Sequence, residues 1–228
     1  MVWASLDRSK GRPAIKSFVV EKSRPGITLT KLEDKLGIRA SDTASILLEE
    51  CRIPYDNILG SPEIREKRGG FRGVMATFDA TRPGVGAVAV GVARAALDFT
   101  REQIEGEGTS VVYDRSLNSL SSIQRDILQM EADLDAARLL VWRVAPMLDR
   151  RERNSKEASV AKAKAGKAAS EICQKCVALL GPLGYSRAWL MEKWMRDCKI
   201  TDLFEGTGQV NTLIVARNIL GFSHHQLK

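Results

Sequence analysis

One acidic residue near the end of the sequence stands where a catalytic base could be held. Glu205 follows an amphipathic stretch and precedes Gly206-Thr207-Gly208, after which a helical pattern resumes. Such a turn can direct a carboxylate into a cavity, where desolvation raises its pKa toward the range suited to removing weakly acidic protons. The same pattern also fits a solvated acid ahead of a helix, so the local sequence leaves both interpretations open.

Two other groups of reactive side chains favour packing over chemistry. Cys173 and Cys176 form a CxxC inside a predicted helix, with no second pair and no histidine nearby, so buried thiols are favoured over a metal or redox site. His224 and His225 are the only histidines; they lie at the tail, where solvated side chains are favoured over ligands, and no Ser-His-Asp triad order is visible. No glycine-rich phosphate loop follows a predicted strand.

The composition indicates a folded chain and limits its partners. Of 228 residues, 44% are hydrophobic, and the net charge of +7 favours anionic partners without distinguishing nucleic acid from a phosphorylated metabolite. The basic run over residues 150–167 is interspersed with glutamate and is interpreted as a solvated helix face. The apolar stretches are too short for a membrane span. Four cysteines do not form a disulfide scaffold and indicate reduced thiols in a cytoplasmic protein.

The elements that position these residues begin as β structure. Residues 1–62 are β-rich, with strand-forming runs at 17–21, 27–30 and 44–49. Three or four strands are too few for a stable sheet of their own. We therefore expect part of a barrel or sandwich, and a chain that is a fragment of a longer polypeptide.

From about residue 70 the periodicity becomes helical, and residues 63–228 are predicted to form an antiparallel bundle of four or more helices. The pattern from Phe71 to Phe99 traces one face, and Pro83 is expected to kink or interrupt it. Three glycines in this stretch predict a close approach by another backbone or a ligand; they are Gly84, Gly86 and Gly91.

The remaining helices follow in order. A heptad seam runs from Leu120 to Leu148, and a third helix with an inner face of small residues is expected to begin at a capping box of Asn154 and Glu157. An amphipathic stretch covers residues 188–204. A last helix is expected to end near Leu220, with Gly221 directly after it.

Four short motifs follow one another along nearly the whole chain. They are KLGIRASDT at 35–43, IPYDNILG at 53–60, FDATRP at 78–83, and MRDCKI with FEGTGQV within 195–210. Their order and spacing resemble the C-terminal half of the acyl-CoA dehydrogenase family, with residues 1–62 as the second part of its middle β domain and residues 63–228 as its helical bundle.

The resemblance implies an FAD-dependent enzyme that introduces an α,β double bond into an acyl-CoA thioester. Glu205 would be the base that removes the α-proton while the β-hydride passes to flavin N5. The complete subunit would carry an N-terminal helical domain and the first part of the β domain as well. A dimer of dimers and an electron-transferring flavoprotein as electron acceptor are also implied.

Residues around the base acquire roles from the same resemblance. Substrate contacts are implied for Asp79, Arg82 and Gly206, although Asp79 and Arg82 also fit a surface ion pair. Because Arg82 precedes Pro83, we expect its backbone to leave regular helical geometry. Cofactor contacts are implied for five residues, of which Thr207 also fits a helix N-cap and Gly181 a helix C-cap. These five are Gln124, Arg115, Gly181, Thr207 and Gln209.

Two stretches depart from the family pattern. Residues 111–117 (VVYDRSL) stand where the family has R-x-x-F-G, so Arg115 would have to supply the charge from a displaced position. Pro182 replaces the second glycine of a G-G-x-G-type turn. These departures keep an alternative open, in which the chain is a non-catalytic helical partner subunit or a fragment of such an enzyme.

Overall fold

The computed structural model describes residues 1–64, 70–223 and 226, which form two compact units. The β-rich unit consists of Met1–Lys35 and the described residues of Arg39–Phe78. The helical unit consists of Leu36–Ile38 and the described residues from Asp79 onward. The predicted fold class is confirmed: the chain is mainly helical, with a small antiparallel β region ahead of a helical bundle. His224 and His225 lie outside the described residues.

The β-rich unit contains two small antiparallel sheets within its described residues. One has the strand order β1-β2-β5 and pairs Val2 with Phe18; the other pairs β3 with β4 and has a bulge between Leu29 and Lys31. A cavity of about 310 Å³ in this unit has a mostly apolar lining. The strands are β1 (Val2–Ser5), β2 (Ile15–Phe18), β3 (Ile27–Leu32), β4 (Ala44–Leu48) and β5 (Ile58–Leu59).

The helices carry the candidate site, and the third lies at their centre. It packs against α2, α4, α5, α6 and α7, because its inner face is built from small side chains that allow close approach. In the described residues the α-helices are α1 (Gly70–Gly106), α2 (Ser122–Asp149), α3 (Ser155–Leu180), α4 (Pro182–Tyr185), α5 (Met191–Cys198), α6 (Ile200–Leu203) and α7 (Gly208–Leu220). None of them combines the length and apolar character needed to cross a membrane.

Helix α1 runs unbroken through Pro83, so the expected interruption there is wrong. Proline has no N–H, which leaves the carbonyl of Asp79, four residues earlier, without its usual helical donor. Asn154 donates its side-chain Nδ2 to that oxygen at 3.2 Å. The freed acceptor is thereby satisfied from outside the helix, and Arg82 keeps helical geometry.

The capping box predicted at Asn154 and Glu157 does not form. Asn154 is the N-cap of α3, but its side chain makes no capping bond, because its amide is directed to Asp79. A capping box is present at the start of α2 instead. There Ser121 Oγ accepts from the Gln124 N–H at 3.2 Å, and Gln124 Oε1 accepts from the Ser121 N–H at 3.0 Å.

The predicted seam and small-residue face form the core of the helical unit. Most of the seam positions from Leu120 to Val144 are buried, while Ile123 is exposed. At Gly86 an added Cβ would lie 2.9 Å from Val141 Cγ2, so the close neighbour is a side chain and not the expected backbone or ligand; Gly84 and Gly91 face open space in the described structure.

The last elements follow the prediction with one difference. The stretch expected over residues 188–204 divides into α5 and α6, which meet at Lys199. Helix α7 ends at Leu220 as predicted, and Gly221 follows it in the left-handed conformation with φ 69°. This conformation is readily available to glycine and ends the helix.

A three-residue segment of the early chain is part of the helical unit. The Ile38 N–H donates to Asp197 Oδ1 at 2.6 Å, and Arg196 Nη1 donates to the Leu36 carbonyl at 2.9 Å. An added Cβ on Gly37 would lie only 2.3 Å from the Arg196 carbonyl oxygen. Glycine is required here by the closeness of two backbones.

Candidate functional site

Glu205 lies in a tight turn between α6 and α7. Its φ is 59° and that of Gly206 is 92°, so two consecutive residues adopt left-handed conformations. Thr207 follows as the N-cap of α7, its Oγ1 accepting from the Val210 N–H at 3.3 Å. The turn places the Glu205 side chain beside α1.

The Glu205 carboxylate has a specific partner on α1. Thr81 donates its Oγ1 hydroxyl to Glu205 Oε2 at 2.7 Å. The Glu205 residue is half-buried, whereas Thr81 is exposed. The carboxylate is therefore held in a defined direction next to a part of α1 that solvent reaches.

Arg82 fixes the backbone of the same glutamate from inside the helical unit. Only 4% of Arg82 is exposed, and its Nε donates to the Glu205 carbonyl at 3.1 Å. Its Nη1 donates to Asp79 Oδ1 at 3.0 Å and to Ser159 Oγ at 3.4 Å. Burial lowers the pKa of Arg82, while Asp79 and Glu205 counteract that effect. Arg82 and Asp79 do form an ion pair, as the alternative expected, but the pair is not at the surface because Arg82 is enclosed.

Lys162 on α3 holds the next carbonyl along the turn. It is fully buried, and its Nζ donates to the Gly206 carbonyl at 2.5 Å. Asn211, also fully buried, donates Nδ2 to the same oxygen at 2.7 Å and to the Thr207 carbonyl at 3.1 Å. Side chains from three helices thus bond to three consecutive carbonyl groups, those of Glu205, Gly206 and Thr207.

Sequence analysis missed Lys162, Thr81 and Asn211. The run that contains Lys162 was interpreted as a solvated face, which is wrong at this position. A signal was available: Lys162 comes four residues after Ala158 and three before Ala165, and therefore lies on the small, buried face of α3. Thr81 and Asn211 carry no comparable signal, because a polar residue on a helix usually faces solvent.

The residues assigned to the cofactor lie at several places in the helical unit. Thr207 and Gln209 are at the N-terminal turn of α7, with Gln209 exposed, and Gly181 ends α3 with φ 54°. Arg115 is exposed in the segment between α1 and α2. Gln124 accepts through Oε1 in its capping box and donates Nε2 to the Ser110 carbonyl at 2.7 Å, so both atoms of its amide are already bonded within the chain.

The CxxC cysteines are core residues. Cys173 and Cys176 are fully buried in α3, and Cys198 of α5 is nearly so. A hydrogen bond with Cys198, together with burial, raises the pKa of Cys173, and burial raises the pKa of Cys176 to about 11. Cys173 and Cys176 are therefore protonated and unreactive near neutral pH.

The helical part of the chain matches a known family. A model described as "Acyl-CoA dehydrogenase, C-terminal domain" matches residues 68–220. The chain belongs to the acyl-CoA dehydrogenase family. It therefore shares ancestry with a family of FAD-dependent oxidoreductases, as the sequence resemblance predicted.

Similar proteins extend the match into the β-rich unit. The chain is 39% identical to the mitochondrial short-chain specific acyl-CoA dehydrogenase of Mus musculus over 220 residues, which cover 96% of this chain and 52% of that protein. It is 33% identical to the caffeyl-CoA reductase-Etf complex subunit CarC of Acetobacterium woodii, covering 96% and 56%. The chain spans about half the length of the curated relatives it matches.

A solved structure shows the same arrangement of elements. The butyryl-CoA dehydrogenase of Megasphaera elsdenii superimposes with a TM-score of 0.82 at 33% identity, over 96% of this chain and 55% of that one. The fold of this acyl-CoA dehydrogenase homologue is therefore that of the C-terminal part of the larger enzymes.

Proposed function

We propose that this chain provides the catalytic base, and part of the substrate and cofactor sites, of an FAD-dependent acyl-CoA dehydrogenase. The observation that carries the proposal is the fixed direction of the Glu205 carboxylate. Thr81 holds its Oε2 oxygen, and Arg82 and Lys162 hold the carbonyls of Glu205 and Gly206. A base on a turn anchored in this way does not need to reorganise when it reacts.

The proposed reaction removes two hydrogens from adjacent carbons of an acyl-CoA thioester. Glu205 takes the α-proton, and the electron pair of the broken α C–H bond forms the new double bond. The chemistry that FAD would supply when bound is acceptance of the β-hydrogen with its electron pair as a hydride, by which the flavin would be reduced. Because Thr81 donates to Oε2, Oε1 is the oxygen proposed to receive the proton.

The donor chemistry of this chain partly fits a flavin. The exposed Gln209 amide and the N-terminal turn of α7 offer hydrogen-bond donors of the kind that flavin ring oxygens accept, and the exposed Arg115 offers a positive charge for a pyrophosphate. We assign Thr207, Gln209 and Arg115 to the cofactor on this basis. Gln124 would have to release its bonds to Ser121 and Ser110 before it could contribute.

Substrate class and electron acceptor follow from the relatives. The names of the matched proteins favour a short acyl group on coenzyme A as the substrate. The subunit of Acetobacterium woodii belongs to a complex with Etf, which supports an electron-transferring flavoprotein as the acceptor here. Gly206 is proposed to contact the thioester from the turn, and Asp79 and Arg82 to shape the site from α1.

The decisive experiment measures α-proton removal and flavin reduction with two separate readouts. The chain, supplied with FAD and butyryl-CoA in deuterated water, is followed by loss of the flavin absorption band and by deuterium uptake at the α-carbon. Glu205→Gln should lower both rates by about 10²–10⁴-fold, the usual contribution of a general base. Glu171→Gln, on an exposed α3 glutamate, is the matched control and should change neither rate. Normal rates in Glu205→Gln would disprove the assignment of the base.

A second candidate is a non-catalytic helical subunit that contributes only assembly contacts. The engaged amide of Gln124 favours it, since one predicted cofactor contact is already used inside the chain. A purified chain that remains colourless with added FAD and binds no acyl-CoA would support this candidate over the first.

A further inference from the structure

Lys162 is an unusual residue for the interior of a helical bundle. It is among the largest side chains that are completely buried, and α3 surrounds it with alanine and glycine. A lysine rarely loses contact with water unless a partner compensates for its charge. Its Nζ has such a partner in the Gly206 carbonyl at 2.5 Å.

The turn that Lys162 holds is one that needs external support. A residue with a side chain in the left-handed region is less stable by about 1–2 kcal/mol than in the right-handed one, and such conformations persist only where surrounding contacts fix them. Glu205 adopts φ 59°. Arg82 bonds to the Glu205 carbonyl, and Lys162 and Asn211 bond to the Gly206 carbonyl. The direction of the Glu205 carboxylate therefore depends on hydrogen bonds made to the backbone of the turn.

Three charged groups face Lys162 from the elements packed around it. Asp202 of α6 and Glu205 of the turn raise the pKa of Lys162, and Arg82 of α1 lowers it. Burial is the largest effect, and the resulting pKa is about 8. The side chain is therefore an ammonium ion at neutral pH and loses its proton under mildly alkaline conditions.

We propose that Lys162 is a positioning residue, whose ammonium group holds the Gly206 carbonyl and thereby sets the direction of the Glu205 carboxylate. The effect of Lys162 on catalysis rests on the proposed function, whereas its hydrogen bond to the Gly206 carbonyl does not. A charged donor forms a hydrogen bond roughly twice as strong as a neutral one. Deprotonation of Lys162 therefore weakens its hydrogen bond to the Gly206 carbonyl, although the neutral amine can still donate.

The first test measures the hold without any reaction. In the 228-residue chain, the Gly206 carbonyl ¹³C shift and the Lys162 Cε shift are followed by NMR through a pH titration. Both should change together with a midpoint at pH about 8. The Gly206 step should vanish in Lys162→Met and persist in Lys167→Met, which alters an exposed lysine of the same helix.

Two results of this titration would overturn the proposal. One is a Gly206 step that persists in Lys162→Met. The other is a Lys162 titration that leaves the Gly206 carbonyl unchanged. Should Lys162→Met fail to fold, the agreement or disagreement of the two midpoints in the unaltered chain decides the question.

The second test concerns catalysis. Deuterium uptake at the α-carbon of butyryl-CoA should fall at least about tenfold in Lys162→Met, and less in Lys162→Gln, which keeps a neutral donor. In the unaltered chain the rate should fall as pH rises through about 8, and this fall should be absent in Lys162→Met. A full rate in Lys162→Met would refute the catalytic consequence. If the unaltered chain shows no uptake at all, the proposed function fails, while the NMR titration still decides the role of Lys162.

Discussion

The side-chain amide of Asn154 replaces a backbone donor that Asp79 lacks. Pro83 removes the N–H that would bond to the Asp79 carbonyl, and Asn154 Nδ2 supplies a hydrogen bond to that oxygen at 3.2 Å. The side chain of Asp79 meanwhile pairs with Arg82, which bonds to Glu205. One substituted hydrogen bond therefore supports the part of α1 that faces the candidate base.

This substitution predicts coupling between Asn154 and Pro83. Asn154→Ala should lower the free energy of unfolding by about 1 kcal/mol, because it leaves a half-buried carbonyl without a donor. In a Pro83→Ala background the restored N–H can satisfy Asp79, so the same change should cost clearly less. Urea unfolding of the four proteins measures the coupling, and Asn218→Ala, at an exposed asparagine of α7, is the control. Strictly additive effects of the two changes would mean that Asn154 does not replace the missing backbone donor.

Thr81 is expected to matter for the reaction more than for stability. Thr81→Val keeps the shape but removes the hydrogen bond to Glu205 Oε2, which we expect to cost about 1 kcal/mol, or roughly a fivefold fall in the rate of α-proton removal. Thr77→Val is the matched control, since its hydroxyl bonds to the carbonyl of Gly73 in its own helix. Equal rates for both variants would mean that the hydroxyl does not orient the base.

Two glycines of α1 should respond to alanine with opposite signs. Gly91 has nothing within 4 Å of an added Cβ, so Gly91→Ala should stabilise the helix by about 0.5–1 kcal/mol through reduced backbone freedom. At Gly86 the added Cβ would lie 2.9 Å from Val141, a buried branched side chain, and crowding there should destabilise the fold by about 1 kcal/mol or more. Thermal unfolding of the two variants gives the comparison, and stabilisation in both would show that α2 yields easily.

Burial of Lys162 predicts a specific dependence of stability on pH. Its pKa is about 8 in the folded chain, below the usual 10.5, so between these values the unfolded chain binds more protons than the folded one. The free energy of unfolding should therefore gain up to about 1.4 kcal/mol per pH unit from this residue as pH rises across that window. Lys162→Met should lack this gain, and Lys167→Met should keep it. Parallel pH profiles for all three proteins would argue against a buried ammonium group.

Much of the fold follows from the sequence because its signals are periodic. The seam from Leu120 to Leu148, the small face of α3 and the end of α7 at Gly221 each repeat or terminate a helical pattern. The interruption predicted at Pro83 failed because a residue 71 positions later supplies the missing donor. Local rules do not include such distant compensation.

The candidate site, like the fold, could be predicted from the sequence only in part. Glu205 could be singled out because two glycines and a threonine follow it directly in the sequence. The side chains that hold it come from α1, α3 and α7, and their convergence is a tertiary property. Lys162 is the exception, since its place on an alanine-lined face was readable from spacing alone.

Residues Leu36–Ile38 lie early in the sequence but belong to the helical unit. This placement matters when a shorter version of the chain is designed. A shortened gene that starts with the family match at residue 68 would delete the amide that Ile38 gives to Asp197 and the carbonyl that Leu36 offers to Arg196. The deletion would also bare the backbone at Arg196 that Gly37 covers. Expression boundaries taken from the family model alone would thus remove part of the helical unit that they were meant to isolate.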